Sequence, residues 1–192
     1  MAGFTGFASR RRNDPALPPG QHLEKGFPVL SAGPDPIIKI WELQIATEIG
    51  QRSWSWADFL ALPQEDVTSD IHCVTSWSKL GTHWRGVSVD TLFDGLPTEH
   101  RFAMARSYGG YATNLPLADL LGGKAWVVHE FDGAPLASEH GGPARLFVPG
   151  LYFWKSAKWL HGIQTMVSDK PGFWENYGYH NHGDPWKEER YA

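Results

Sequence analysis

The chain has one cysteine among its 192 residues, Cys73. That excludes an intrachain disulfide and any zinc site built from several thiolates. It has no apolar run near the roughly 18 residues that span a bilayer. It also lacks a strong excess of one charge. Seventeen Lys and Arg stand against twenty-one Asp and Glu, for a net charge of −4 with the signs mixed along the chain. Nothing in that balance points to a nucleic-acid or other polyanionic partner. No G-x-G-x-x-G and no P-loop appears, which disfavours a dinucleotide or nucleoside triphosphate at a helix N-terminus. Arg10, Arg11 and Arg12 are followed by Asn13-Asp14-Pro15 rather than an apolar segment, so an export signal is not expected and the reading is cytoplasmic.

What is abundant is aromatic. Ten Trp, ten Phe and six Tyr within a 42% hydrophobic chain can fill a large core. The length predicts one domain with an irregular arm. Residues 1–15 read as a flexible tail and residues 16–192 as a single domain. Up to residue 36, Pro and Gly break any period, which predicts an extended arm packed by Phe27, Val29 and Leu30.

Further on, alternation predicts a strand over 38–45. Ser53 or Ser55 can cap a short helix, Trp56 to Leu62, that Pro63 stops. Strands follow over 67–74, 101–106, 125–131, 144–148 and 158–167. Short helices are expected over 89–93, capped by Ser88, and over 117–121. Asp132-Gly133 marks a hairpin turn. Helices do not alternate regularly with strands. The fold class expected is therefore α+β, with a mixed β-sheet core and short helices.

Four segments carry residues suited to chemistry. Cys73 lies among His72, Thr75 and Trp77. In a strand, His72 would face away from the thiol, while Thr75 and Trp77 would share its face. That argues against His72 as a base, although another histidine could approach in space. Glu139 to Arg145, EHGGPAR, offers two donors, His140 and Arg145, beside glycines that let a backbone come close to a ligand. Without further context it also reads as a turn entering a strand. Ser156 and Lys158 fall on one face if extended; alternatively they sit on a strand edge whose lysines are solvated. His180, His182 and Asp184 have ligand types for zinc or iron, but Gly183 and Pro185 make that run a turn in which Asp184 bonds its own backbone.

Taken together, three blocks resemble the sulfite-oxidase-fold molybdopterin oxidoreductases. They are HCVTSWS at 72–78 with WRGV at 84–87, GYATNLPL at 110–117, and HGGPARLFVPG at 140–150 running on to KSAKWL at 155–160. The tail, GFWENYGYHNHGDPWKEERY, resembles that of the short single-domain bacterial members. The resemblance implies a molybdenum atom held by one molybdopterin dithiolene and by Cys73, whose soft thiolate suits such a metal. It implies that Ser107, His140, Arg145, Ser156, Lys158 and the Ala157 backbone hold the pterin and its terminal phosphate. Gln21 and His22 in the arm are further candidates.

Sulfite oxidases carry an arginine shortly after the cysteine. Here Ser76, Trp77 and Ser78 stand there instead, in the pattern C-V-x-x-W-S of the methionine-sulfoxide reductase branch. The activity implied is oxygen-atom transfer, with Cys73 and Trp77 at the reacting centre and the metal cycling between +6 and +4. The substrate expected is an S-oxide or N-oxide, and a separate redox protein supplies electrons because the chain is too short for a haem domain. The alternatives are sulfite oxidation, or a pterin-binding protein without catalysis. A hydrolase using Cys73, or His180 and His182 with zinc, is a third reading.

Overall fold

Trp41, Leu43 and Ile45 are buried, whereas Ile37 and Ile40 are 90% and 83% exposed. The apolar alternation over 38–45 changes phase between Ile40 and Trp41, so one strand cannot bury both sets. The strand accordingly starts later than the pattern suggests, at Glu42.

The structure is a computed structural model that describes residues 16–192, so the tail expected over 1–15 lies outside the described residues. In chain order the described strands and helices are β1 (His22–Leu23), β2 (Glu42–Thr47), β3 (Gly50–Ser55), α1 (Trp56–Ala61), β4 (Glu65–His72), β5 (Trp77–Ser88) and α2 (Val89–Phe93). After these come β6 (Phe102–Ser107), β7 (Ala112–Pro116), β8 (Trp126–Phe131), β9 (Ala134–Pro135), β10 (Arg145–Phe147) and β11 (Leu160–Met166). Both helices stay short for local reasons. Ser55 and Asp58 form a reciprocal capping box that opens α1, and Pro63 follows its end. Ser88 caps α2. The helix expected over 117–121 is a single 3₁₀ turn, Leu117–Asp119.

The strands form two sheets rather than one. The first runs β1-β5-β8-β10, with β4 also paired to β5 and β9 to β8; the second runs β3-β2-β11-β6-β7. Each contains one parallel pair, β1 with β5 and β11 with β2, among antiparallel neighbours. The expected α+β mixed-sheet fold is the one observed. Leu43, Ile45, Phe59, Leu115, Leu146 and Ile163 belong to the main core that joins the sheets. A second cluster gathers Ile71, Cys73, Trp77, Trp84, Val128 and Phe147. That cluster is built on the first sheet, and Cys73 sits at its edge.

The arm departs from expectation in part. Phe27 is half-buried and stacks on His140, with ring centroids 3.9 Å apart and planes 4° from parallel. Val29 and Leu30 are about half exposed. Among the described residues no helix is long and apolar enough to cross a membrane.

Candidate functional site

Cys73 is not within a strand. β4 ends at His72 and β5 begins at Trp77, and the chain between them is a tight turn. Ser76 N–H donates to the Cys73 carbonyl at 3.0 Å, and Cys73 N–H donates to the Trp77 carbonyl at 2.8 Å. Ser76 takes a positive φ of 73° to close it, a conformation that L-residues adopt at a cost. The turn lifts the cysteine sulfur off the sheet. Sγ lies 3.1 Å from Thr75 Oγ1, and the thiol is 7% exposed. Burial pushes its pKa up, so a thiolate here needs a cation or metal to hold it. His72 points elsewhere: its Nδ1 is 2.8 Å from Ser78 Oγ. The face argument against His72 as a base therefore agrees with the structure, although a turn rather than a strand sets the geometry.

A cavity of about 550 Å³ opens beside this turn, a volume typical of a cofactor site. Cys73, Thr75 and Trp77 line it at one place, and His140, Arg145, Ser156, Ala157 and Lys158 at another. The Phe153 ring stands between, 4.0 Å from the Arg145 guanidinium carbon on one side and 6.5 Å from the Trp77 ring on the other. At the far end Arg145 is 1% exposed. Its donors go to backbone carbonyls: Nη1 to His140 at 2.8 Å, Nη2 to Ser156 and Nε to Leu146 at 3.4 Å. Among the described residues no carboxylate pairs with it. Burial pushes its pKa down to about 9. Lys158 donates to Ser31 Oγ at 2.9 Å and to the Glu139 carbonyl. Burial, and then the neighbouring Arg145 charge, bring its pKa down to about 8.

Backbone shape keeps these donors close. Gly141 has φ of +105°, and a Cβ there would lie 2.9 Å from Lys158 Cα. Only glycine lets the 138–142 turn approach Lys158 this closely.

The oxidoreductase molybdopterin binding domain pattern matches residues 32–174. The chain belongs to that family. It is 39% identical over 194 aligned positions to the uncharacterized oxidoreductase YuiH of Bacillus subtilis, covering 97% of this chain and 98% of YuiH. It is 27% identical to the Azospira oryzae protein named "Putative protein-methionine-sulfoxide reductase subunit YedZ1", over 67% of this chain and 50% of that one. The sulfane dehydrogenase SoxCD of Paracoccus pantotrophus shares the fold, with a TM-score of 0.60 and 18% identity over 67% of this chain and 38% of its own. This molybdopterin-binding oxidoreductase is thus an enzyme with molybdenum–molybdopterin as its cofactor.

The residues present fit that cofactor. Arg145 is fully buried and Lys158 half-buried beside it, with no carboxylate in ion-pair contact among the described residues, and a buried cation left so costs several kcal/mol unless an anion joins it. A terminal phosphate is such an anion, and Arg145 and Lys158 would be donors to it. Asp35 and Glu139 are the acidic neighbours of Lys158 and His140, and Glu139 is largely exposed.

Of the other residues singled out, Gln21 and Ser107 do not line the cavity. Gln21 Nε2 donates to the Cys73 carbonyl at 3.1 Å, bracing the turn from behind. Ser107 is 2% exposed, its hydroxyl has no partner among the described residues, and it is adjacent to the lining residue Tyr108. His22 is exposed on β1. Among the described residues no three His, Cys, Asp or Glu side chains are placed to hold a metal. His182 is instead held by Glu189 at 2.8 Å and Asp119 at 3.0 Å, and Asp184 accepts from Trp186 N–H.

Sequence reasoning assigned no role to Tyr111, Trp154 or Tyr179, which also line the cavity. Nor did it place Ser31–Pro36 there, although an arm laid on the surface was expected. The Gly109-Gly110 pair, both at positive φ on the cavity rim, was the available signal for the Tyr108–Tyr111 loop.

Proposed function

We propose that this oxidoreductase removes an oxygen atom from an S-oxide or N-oxide, with methionine sulfoxide the leading substrate and a separate redox protein as electron donor. The observation that carries this reading is the contrast inside the cavity. Its cationic side chains, Arg145 and Lys158, are gathered at one end beside His140. The lining around Cys73 is Val74, Thr75, Trp77, Phe153 and Tyr179, uncharged and largely aromatic. Such a wall suits a neutral S-oxide and offers nothing to a sulfite dianion.

The bound cofactor supplies two-electron oxygen-transfer chemistry. The protein's part is assigned residue by residue. Cys73 presents its sulfur as the metal ligand. Arg145, Lys158 and His140 hold the phosphate end, with the Ser156 hydroxyl and Ala157 backbone between them. Phe27 keeps the His140 ring in its plane by stacking. Ser107 and Gln21 support the loops from beneath. Trp77, 5% exposed with its indole N–H unpartnered, walls the substrate end and keeps water out. The "subunit" in the name of the Azospira oryzae relative supports a separate electron donor.

The test is elemental analysis and dye-coupled turnover of protein made in a host that synthesises the cofactor. The expected result is about one molybdenum per chain, by the family's one-cofactor stoichiometry, and reduction of methionine sulfoxide or dimethyl sulfoxide that Cys73→Ser abolishes. Iodoacetamide should leave Cys73 unlabelled while metal is bound. Turnover of sulfite in preference to any S-oxide would overturn the substrate assignment. Silence on all three would overturn catalysis.

A further inference from the structure

The family pattern ends at residue 174, yet the chain beyond it returns to the cysteine turn. Arg190 Nη1 donates to the carbonyl of Val74, the residue after Cys73. Its Nη2 donates to the Pro19 carbonyl at 3.4 Å, and its guanidinium carbon lies 5.1 Å over the Tyr152 ring. One planar fork thus joins the cysteine turn, the N-terminal arm and the tail.

The tail is fastened along its length, which terminal segments commonly are not. Lys155 and Glu175 form an ion pair at 2.6 Å with both side chains fully buried. Lys155 also donates to the carbonyls of Asn114 and Asn181. The closing residues pair with the 178–180 stretch: His180 N–H donates to the Arg190 carbonyl at 3.2 Å, and Ala192 N–H to the Gly178 carbonyl at 3.0 Å. Tyr179, in that same stretch, lines the cavity. Arg190 therefore stands on a braced hairpin, and its grip on Val74 is held from behind.

We propose that residues 175–192 are part of the metal site, and that Arg190 is a positioning residue which fixes the Val74 peptide and so the direction in which Cys73 presents its sulfur. The reasoning is mechanical. The Cys73–Trp77 turn is closed by its own backbone bonds and is braced from the arm at the Cys73 carbonyl by Gln21 and at the Ser76 carbonyl by the His22 N–H. The Val74 carbonyl lies between those two braces in the chain and accepts from Arg190. A charge-assisted bond there adds a third brace, at the peptide directly after the cysteine. Groups that orient a metal ligand commonly change metal affinity or activity by about 10–100-fold when lost. The proposal rests on the reading of Cys73 as the metal ligand.

The experiment compares holoenzyme carrying Arg190→Ala, Arg190→Gln, Arg190→Lys or Cys73→Ser. It measures molybdenum content, the EPR signal of the half-reduced metal, and kcat and KM with methionine sulfoxide. Arg190→Ala should shift the EPR signal and lower kcat by about tenfold, leaving KM within about threefold. Arg190→Lys should bring both back toward wild type, because it again offers a cationic donor to Val74. If Arg190→Ala does not fold, Arg190→Gln decides: shorter and uncharged, it loses the clamp while keeping a polar side chain. An EPR signal unshifted in the folded Ala or Gln variant overturns the proposal, and so does a Lys variant no closer to wild type than Gln. Cys73→Ser separates the two possible failures. A molybdenum signal indifferent to Cys73→Ser would defeat the ligand assignment, whereas one that responds to Cys73→Ser but not to Arg190 would defeat this inference alone.

Discussion

The two ends of the cavity differ in what they leave unsatisfied. At the Cys73 end the unmet group among the described residues is the Trp77 indole N–H, beside a buried thiol that meets the Thr75 hydroxyl, and both are neutral. At the Arg145 end stand two positive charges, one fully buried and one partly so, held by backbone carbonyls and the Ser31 hydroxyl, with no carboxylate in ion-pair contact among the described residues. The first end offers a soft sulfur among uncharged groups; the second offers cationic donors suited to an anion. A single small substrate would not need both. A long cofactor with a metal at one extremity and a phosphate at the other needs both, with an aromatic partition such as Phe153 between.

The strongest way to break this contrast is to remove the buried charge. Arg145→Met should lower cofactor retention by about 100-fold or more, since truncating one partner of a buried charged pair costs about 3–5 kcal/mol. Arg145→Lys keeps the charge but loses the planar fork, and should fall between, near tenfold. Molybdenum and pterin content after gel filtration gives both values. Retention unchanged in Arg145→Met would mean that the cationic end does not hold the phosphate.

Much of this contrast was legible in the sequence, because its carriers are chemically unusual residues in short runs. A lone cysteine beside tryptophan, and a histidine, two glycines and an arginine within six residues, stand out without any fold. The strands around them were harder to see. β5 buries Ser78 and Thr82 as well as Trp77 and Trp84. It pairs along both edges and turns no single face to solvent, so its sequence does not alternate. β3 has one buried residue in six, too little apolar signal to mark a strand. Lys155 falls in the segment whose alternative reading is a strand edge with solvated lysines, yet it is fully buried on Glu175. Its partner lies twenty positions on in a tail that had to fold back first. The Phe27–His140 stack likewise joins residues that only the tertiary fold brings together.

A smaller intervention sharpens the contrast by copying one end into the other. Thr75 is exposed on the cavity wall and next to Cys73, so a longer side chain fits there without displacing core. Thr75→Arg places a cation where the lining is neutral. Sulfate, a non-reacting dianion, should then inhibit about tenfold more strongly, as one new charge-assisted hydrogen bond allows. The KM for dimethyl sulfoxide should rise in the same variant. Sulfate inhibition equal to wild type would show that the cysteine end is not where the substrate's charge is read.

The mildest test leaves the sequence alone and changes pH. In the cofactor-free protein the Lys158 pKa is held at about 8, against 10.5 for an ordinary lysine. Between those values the unfolded chain binds more protons than the folded one, so stability rises with pH across that window. Arg145, at about 9 against 12.5, adds a contribution of the same sign higher up. A phosphate bound between them favours both charged forms and cancels the effect. The melting temperature of cofactor-free protein should therefore climb from about pH 8 toward pH 10, while that of loaded protein does not. Lys158→Gln should flatten the early part of the cofactor-free curve, because the group whose charge is penalised is gone. Parallel curves for the free and loaded forms would mean that the two cations already have their partners within the fold. The electrostatic half of the contrast would then fail, leaving the neutral cysteine end to stand by itself.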